Sequence, residues 1–176
     1  MKPKEKSSKI IFKCPYFEVE EKKLVYPNGY KHDYYVENGN DFVVVICEKD
    51  DKILMVKQYR VPLEGVALEF PAGGIKDEED KDTAAKRELE EETGYAVDKL
   101  KFLGSVKPLI ARSSVTGHVY HAKITDEEPK ELNLDPSELG LESVWVHKKY
   151  IQHMIKTSDT LDSITVSSWV FFRERS

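Results

Sequence analysis

Apolar and polar positions alternate over residues 16–25 and 30–37, which carry Tyr, Phe and Val and flank Pro27-Asn28-Gly29. Alternation on either side of a turn segment predicts a β-hairpin. Residues 42–47 and 53–58 are instead short apolar runs separated by the polar Glu48-Lys49-Asp50-Asp51-Lys52. They predict two buried strands joined by a polar turn. After Leu68-Glu69-Phe70-Pro71-Ala72-Gly73-Gly74 the period changes to a charged stretch with Ala84, Ala85 and Leu89 as its apolar face. This predicts a helix over about 80–93, ended by Gly94, a residue suited to the left-handed conformation beyond a helix C-terminus. Strands are expected at 101–107, 119–124 and 143–146, then helices near 148–156 and from 161 towards 173. Strands mixed with a few helices in this order predict an α/β or α+β sandwich.

The 176 residues, 40% hydrophobic and 34% charged, suit one core-forming unit and exclude disordered, fibrous and membrane compositions. The longest apolar run, the six residues 42–47, is far short of the roughly 18 that a spanning helix needs. No membrane partner is expected. Residues 1–9 are basic and Ser-containing, and Lys13 interrupts the apolar Ile10, Ile11 and Phe12 too early for a signal peptide. They read as a flexible leader on a cytoplasmic protein, ahead of a hairpin region at 10–40 and a main domain at 41–176. Cys14 and Cys47 have no CxxC partner and are expected to be reduced thiols.

Lys plus Arg is 27 and Asp plus Glu is 32, a net charge of −5. Residues 73–95 hold nine acids and four bases, so the whole excess sits in this one stretch. Nucleic-acid binding runs on neutralising phosphates with Lys and Arg, so no nucleic-acid partner is expected. A local excess of carboxylates suits divalent cations better. Glu88, Glu91 and Glu92 stand at i, i+3 and i+4, on one face of one helical turn. Like charges so placed cost an exposed helix about 0.2–0.5 kcal/mol per pair. A bound Mg²⁺, which takes one or two protein carboxylates with waters and phosphates, reverses that sign.

The stretch runs Gly73, five residues, Glu79, seven residues, Arg87-Glu88-Leu89, one residue, Glu91-Glu92, one residue, Gly94-Tyr95. It resembles the Nudix box, G-x5-E-x7-R-E-U-x-E-E-x-G-U, at every fixed position, with Tyr95 where an aliphatic residue is commoner. The resemblance implies an α/β Nudix fold, a mixed β-sheet sandwiched between helices (an α/β/α sandwich), here with an N-terminal β-hairpin extension. It implies hydrolysis of a nucleoside diphosphate linked to another group, with Mg²⁺ as cofactor and Mn²⁺ as a substitute. Glu88 and Glu92 would be the principal metal ligands, Glu91 a third ligand or water-orienting group, and the carbonyl of Ala72 a further ligand. Arg87 would orient a carboxylate of the cluster, and Glu79 would support the helix–loop junction. An ordinary helix-face salt bridge is the other reading of Arg87 and Glu79.

Lys57-Gln58-Tyr59-Arg60, then Pro62, then Leu68-Glu69-Phe70-Pro71-Ala72-Gly73 is similar to the ADP-ribose and nucleoside-diphosphate-sugar pyrophosphatase branch. There Arg60 would clamp the diphosphate and Glu69 would line the substrate pocket, or pair with Arg60. Pro15-Tyr16-Phe17-Glu18-Val19 also resembles that branch, in which an aromatic stacks on the nucleobase, often across a dimer partner. One of Tyr16 and Phe17 would serve, and the other would point into the hairpin core. The resemblance further implies a homodimer built through the hairpin. The loop 109–118 departs from the branch: Arg112 and His118 are present, but the usual Pro-Gly turn and acid are not. That weakens ADP-ribose itself as substrate and leaves the wider sugar-nucleotide class. For the general base the candidates are Glu138 and Glu142, with Asp135 behind them, and Glu91 within the box. Two other functions remain open, a house-cleaning nucleoside triphosphate pyrophosphatase and a non-catalytic nucleotide-binding module. The five histidines lack HxxxH or HExxH spacing, and no GxSxG or P-loop pattern is present.

Overall fold

The computed structural model describes residues 2–125, 128–134, 136–138, 140–157 and 162–175. It divides into two units, Met1–Asp41 with Lys107–Thr116, and Phe42–Val106 with Gly117–Ser176. The first is an antiparallel sheet of β1 (Lys4–Lys13), β2 (Phe17–Val25) and β3 (Lys31–Gly39) in that order. The β2–β3 turn closes through Gly29 N–H to Tyr26 O (2.9 Å), with Gly29 at φ 84°, a conformation most L side chains avoid. Residues 4–9, read from sequence as part of a charged leader, are the first six of β1. All ten residues of that strand are exposed. Without a buried face, β1 is held by its backbone ladder and by cross-strand ion pairs, Glu5–Lys22 (3.2 Å), Lys9–Glu21 (3.3 Å) and Lys13–Glu18 (3.5 Å). The departing loop folds onto β3 in the same unit: Glu37 N–H donates to Arg112 O (2.7 Å), and Ser114 N–H donates to Glu37 O (3.1 Å).

The second unit contains β4 (Phe42–Lys49), β5 (Lys52–Arg60), β6 (Gly65–Glu69), β7 (Ala72–Gly74), β8 (Lys101–Val106), β9 (Gly117–Lys123) and β10 (Glu142–His147). Their order is β10-β5-β4-β9-β8, with β6 on β5 and β7 on β4. The β4–β9 pair is parallel and the rest are antiparallel, so the sheet is mixed. Side chains alternate between the faces of a strand, so a continuous apolar run such as Val43 to Cys47 needs cover on both. Val43, Val45 and Cys47 pack with Ala84, Ala85 and Leu89 of helix α1 (Lys81–Thr93). Val44 and Ile46 pack on the other face with Ile151 of α2 (Lys148–Thr157) and with Trp169 and Phe172 of α3 (Ser163–Arg175). This is the α/β/α sandwich. Among the described residues no helix is long and apolar enough to cross a membrane.

Two local features position the site. Strands β4 and β5 pair only from Cys47↔Leu54 to Lys49↔Lys52, after which they fork. Beyond the fork β4 takes β7 as partner and β5 takes β6, with the buried Phe70 and Pro71 between them. Val45 N–H donates to Pro71 O (2.9 Å) and ties the fork together. Helix α1 is fixed at both ends: Asp80 Oδ1 accepts from the N–H groups of Asp82 and Thr83 (3.0 Å each), and Gly94 at φ 75° closes the C-terminus. Helix α3 begins at Ser163, with Asp162 as its cap, and residue 161 lies outside the described residues.

Candidate active site

Arg87 on α1 gathers the carboxylates around it. Its Nε and Nη2 donate to the two oxygens of Glu79 (2.8 Å each), and Nη2 also donates to Gly74 O (2.9 Å). Its Nη1 donates to Glu88 Oε1 (2.6 Å) and Glu91 Oε2 (2.9 Å). A planar guanidinium can serve a bidentate carboxylate and two further acceptors at once, which an ammonium cannot. Glu79 also accepts from Lys76 N–H (3.0 Å). The Arg87 bonds, with that backbone contact, hold its carboxyl down at about 2, and the carboxylates in turn push the Arg87 guanidinium up.

Glu88 and Glu92 point inward. Both are buried, and burial raises both carboxyl groups, Glu92 to about 8. For Glu88 the Arg87 contact opposes that rise. For Glu92 the opposing contact is the Ala72 N–H, which donates to its Oε2 (3.0 Å). Gly73 admits Glu88: a Cβ there would lie 2.1 Å from the Glu88 Cδ. The short strand β7 therefore serves as the backbone against which both carboxyl groups rest.

The same strand lines a cleft of about 630 Å³ with Arg60 and Glu69 on its wall and Phe42, Val44 and Phe70 among its apolar lining. Arg60 Nε donates to Glu69 Oε1 (3.0 Å) and Nη2 to Oε2 (2.5 Å), so Glu69 pairs with Arg60 on the wall of the cleft. Glu69 raises the Arg60 guanidinium most strongly, and Glu92 and Asp162 add to the effect. Arg60 and the carboxylate cluster thus share one electrostatic field.

The other candidates are placed unevenly. The negative charge of Glu138 helps to raise both Glu88 and Glu92. Glu142 opens β10 opposite Lys57 and is exposed. Asp135 lies outside the described residues. Tyr16 and Phe17 belong to the N-terminal unit. Tyr16 is 81% exposed, and Phe17 rests against Phe12 (5.7 Å between ring centroids) while also staying exposed, so neither fills a hairpin core. Sequence reasoning missed Asp162, which also lines the cleft. The signal was there: Asp162-Ser163 precedes an apolar stretch in the manner of a helix N-cap.

Among the described residues no three Asp, Glu, His or Cys side chains are gathered into a ready cage for a metal. The donor chemistry nonetheless fits a hard divalent cation. Glu88 and Glu92 are oxygen donors whose charged forms burial disfavours, and adjacent positive charge relieves that penalty.

The family model described as NUDIX domain matches residues 38–160. The ADP-ribose pyrophosphatase of Bacillus subtilis (strain 168) is 37% identical over 112 residues, which are 62% of this chain and 60% of that protein. The ADP compounds hydrolase NudE of Escherichia coli (strain K12) is 30% identical over 124 residues, 66% of this chain and 67% of that protein. Several further curated relatives are matched over half their own length or less. Among solved structures, a crystal structure of an ADP compounds hydrolase is similar at a TM-score of 0.86 and 26% identity, over 99% of this chain and 94% of that one. Because the matched stretch spans well over half of the chain and contains the whole of the box from Gly73 to Tyr95, the chain belongs to the Nudix family.

Proposed function

We propose that the protein is a metal-dependent hydrolase that cleaves the diphosphate of a nucleoside diphosphate sugar, ADP-ribose-like or another of that class, to a nucleoside monophosphate and a sugar phosphate. The observation that carries this reading is the pair of buried carboxyl groups, Glu88 and Glu92, set against Ala72–Gly74 where that strand lines a cleft bearing Arg60. The names of the relatives, ADP-ribose pyrophosphatase and ADP compounds hydrolase, support the substrate class.

Glu88, Glu91, Glu92 and the carbonyl of Ala72 would hold Mg²⁺, or Mn²⁺ in its place. With an ion held by these residues, charge on the diphosphate would be neutralised and the pKa of an attacking water lowered. Arg87 fixes the positions of the Glu88 and Glu91 carboxylates, and Glu79 fixes Arg87. Arg60, oriented by Glu69 through Nε and Nη2, offers its remaining edge to phosphate oxygens. Apolar cleft walls keep water away from the bound linkage and strengthen these contacts. Glu138 takes the role of general base, because its charge already acts on the cluster; Glu142 and Glu91 stand behind it. Tyr16 or Phe17 stacks on the nucleobase. The enzyme works in the cytoplasm, where Cys14 and Cys47 would stay reduced. It is a homodimer through its N-terminal sheet, where Ile10, Ile11 and Phe12 stand about half exposed on β1.

The test is a panel of nucleotide sugars with Mg²⁺ or Mn²⁺ and identification of products, run on wild type, Glu88→Gln and Glu92→Gln. AMP and ribose 5-phosphate from ADP-ribose, with both variants slowed at least about 100-fold, are the expected result. Full activity in either variant overturns the mechanism. Pyrophosphate release from triphosphates alone would move the protein to the house-cleaning class, and stoichiometric binding without turnover would make it a sensor. A monomeric mass in solution would remove the dimer.

A further inference from the structure

The cleft holds a second acid. Asp162 lines it together with Ile164 and Thr165 at the start of α3. One oxygen of Asp162 is occupied: Oδ1 accepts from Ile164 N–H (2.7 Å) and Thr165 N–H (3.0 Å), the geometry of an N-cap. No hydrogen bond to Oδ2 is formed by the described residues, and the residue is exposed. Its charge also acts on Arg60, adding to the rise of that guanidinium.

Among the described residues, the charged ones lining the cleft are Arg60, Glu69 and Asp162, one cation and two anions. Arg60 is already paired bidentately with Glu69, so among these three residues Asp162 brings a negative charge with no ion-pair partner of its own. A phosphate placed against Asp162 would meet like charge across a cleft whose walls are largely apolar, where such repulsion is poorly screened. Phe42, Phe70 and Ile164 offer flat and aliphatic surface to a ring. An acceptor oxygen beside apolar walls suits an uncharged ring that carries a hydrogen-bond donor.

We propose that Asp162 is a specificity-determining residue of the cleft, whose Oδ2 accepts a hydrogen bond from a neutral donor, a hydroxyl or an exocyclic amine, on the sugar or nucleoside end of the substrate. This rests on the reading of the cleft as a nucleotide-sugar site. Selectivity of this kind arises because a bound ligand that lacks the donor displaces the water from the exposed carboxylate oxygen and leaves it unpaired.

Asp162→Asn separates this role from capping. Asparagine caps a helix as well as aspartate does, so α3 keeps its start. With Oδ1 engaged at the cap, the substitution puts an NH2 donor where the acceptor stood. Wild type and variant are compared on ADP-ribose, on its hypoxanthine analogue and on an analogue lacking one hydroxyl of the terminal ribose. KM is measured for each, and in parallel the shift in melting temperature that each ligand produces with Ca²⁺ in place of Mg²⁺. Wild type is expected to disfavour one of the two analogues by about 10- to 100-fold in KM, as for a lost bond to a charged group. The analogue that is disfavoured says whether base or sugar occupies this end. In Asp162→Asn that preference should fall to within about 3-fold, at an unchanged melting temperature without ligand. Identical discrimination in wild type and variant overturns this inference and leaves the hydrolase reading intact. A wild type that neither turns over ADP-ribose nor is stabilised by it overturns both.

Discussion

The Cα of Gly73 lies directly against the Glu88 carboxyl group: a Cβ on Gly73 would fall 2.1 Å from Cδ and 2.2 and 2.3 Å from the two oxygens. A carboxylate at the end of a flexible side chain can usually step aside, but this one is buried and tied to Arg87 Nη1 at 2.6 Å. Gly73→Ala should therefore leave the fold standing, with about 1–2 kcal/mol lost, and displace Glu88. Turnover of ADP-ribose in Mg²⁺ should drop by at least about 100-fold, since misplacement by an ångström is enough for such a loss. A variant that melts normally and turns over at the wild-type rate would show that Glu88 need not sit here.

Acid should loosen the Glu79–Arg87 contact within a defined window. The folded-state value of Glu79 is about 2, below its ordinary 4.5. A depressed carboxyl stabilises the fold fully above about pH 4.5 and loses that contribution as pH falls from there towards 2. Solvent screening limits the net effect to about 1 kcal/mol. The melting-temperature gap between wild type and Glu79→Gln should be widest above pH 5 and close by pH 2. A gap that does not change with pH would assign the stabilisation to packing rather than charge.

Much of this architecture is written in local pattern. The run Val43 to Cys47 fits only a strand covered on both faces, and the Ala84, Ala85 and Leu89 stripe with Gly94 marks α1 almost to its ends. What escaped the sequence depends on distant partners. Strand β1 has no buried face and exists through pairing with β2, so its lysines read as a leader. Strands β6 and β7 exist because β4 and β5 separate after Leu54, a matter of register that no single segment encodes. At the site, spacing places Glu88, Glu91 and Glu92 on one helical turn. It does not say which of them the sheet will bury, nor that the Ala72 N–H will be waiting for Glu92. Asp162 joins Arg60 and Glu69 over about a hundred residues of chain, and only the closed sandwich brings them to one cleft.

Gly94 has a double reason to be glycine. It sits at φ 75°, and a Cβ there would lie 2.2 Å from Lys130 O, backbone that itself pairs with Gly94 through Lys130 N–H to Gly94 O (2.9 Å). Backbone cannot swing aside as a side chain can. Gly94→Ala should cost about 2–4 kcal/mol, from left-handed strain and the displaced segment together. Thermal unfolding measures it, and a loss below about 0.5 kcal/mol would mean that the 128–134 segment does not pack on the end of α1 as described.

The burial of Glu92 implies that the metal-free protein is held back by its own active site. Its carboxyl is raised to about 8 from an ordinary 4.5. Below about pH 4.5 both folded and unfolded chains carry the proton, and nothing is gained or lost. Between 4.5 and 8 the unfolded chain ionises while the folded one resists, so stability falls with rising pH and levels off above 8. In EDTA the wild-type melting temperature should decline across that interval, for a total on the order of 2 kcal/mol. Glu92→Gln keeps an acceptor for the Ala72 N–H and has no proton to lose. It should match wild type near pH 5 and exceed it at pH 8. Adding Mg²⁺ or Mn²⁺ at pH 8 should raise the wild-type melting temperature clearly more than the variant's, which keeps the Glu88 and Glu91 carboxylates but has lost the Glu92 one. If the variant is no more stable than wild type at pH 8 in EDTA, Glu92 is not paying a burial penalty, and the case for a cation-seeking carboxyl at this position fails.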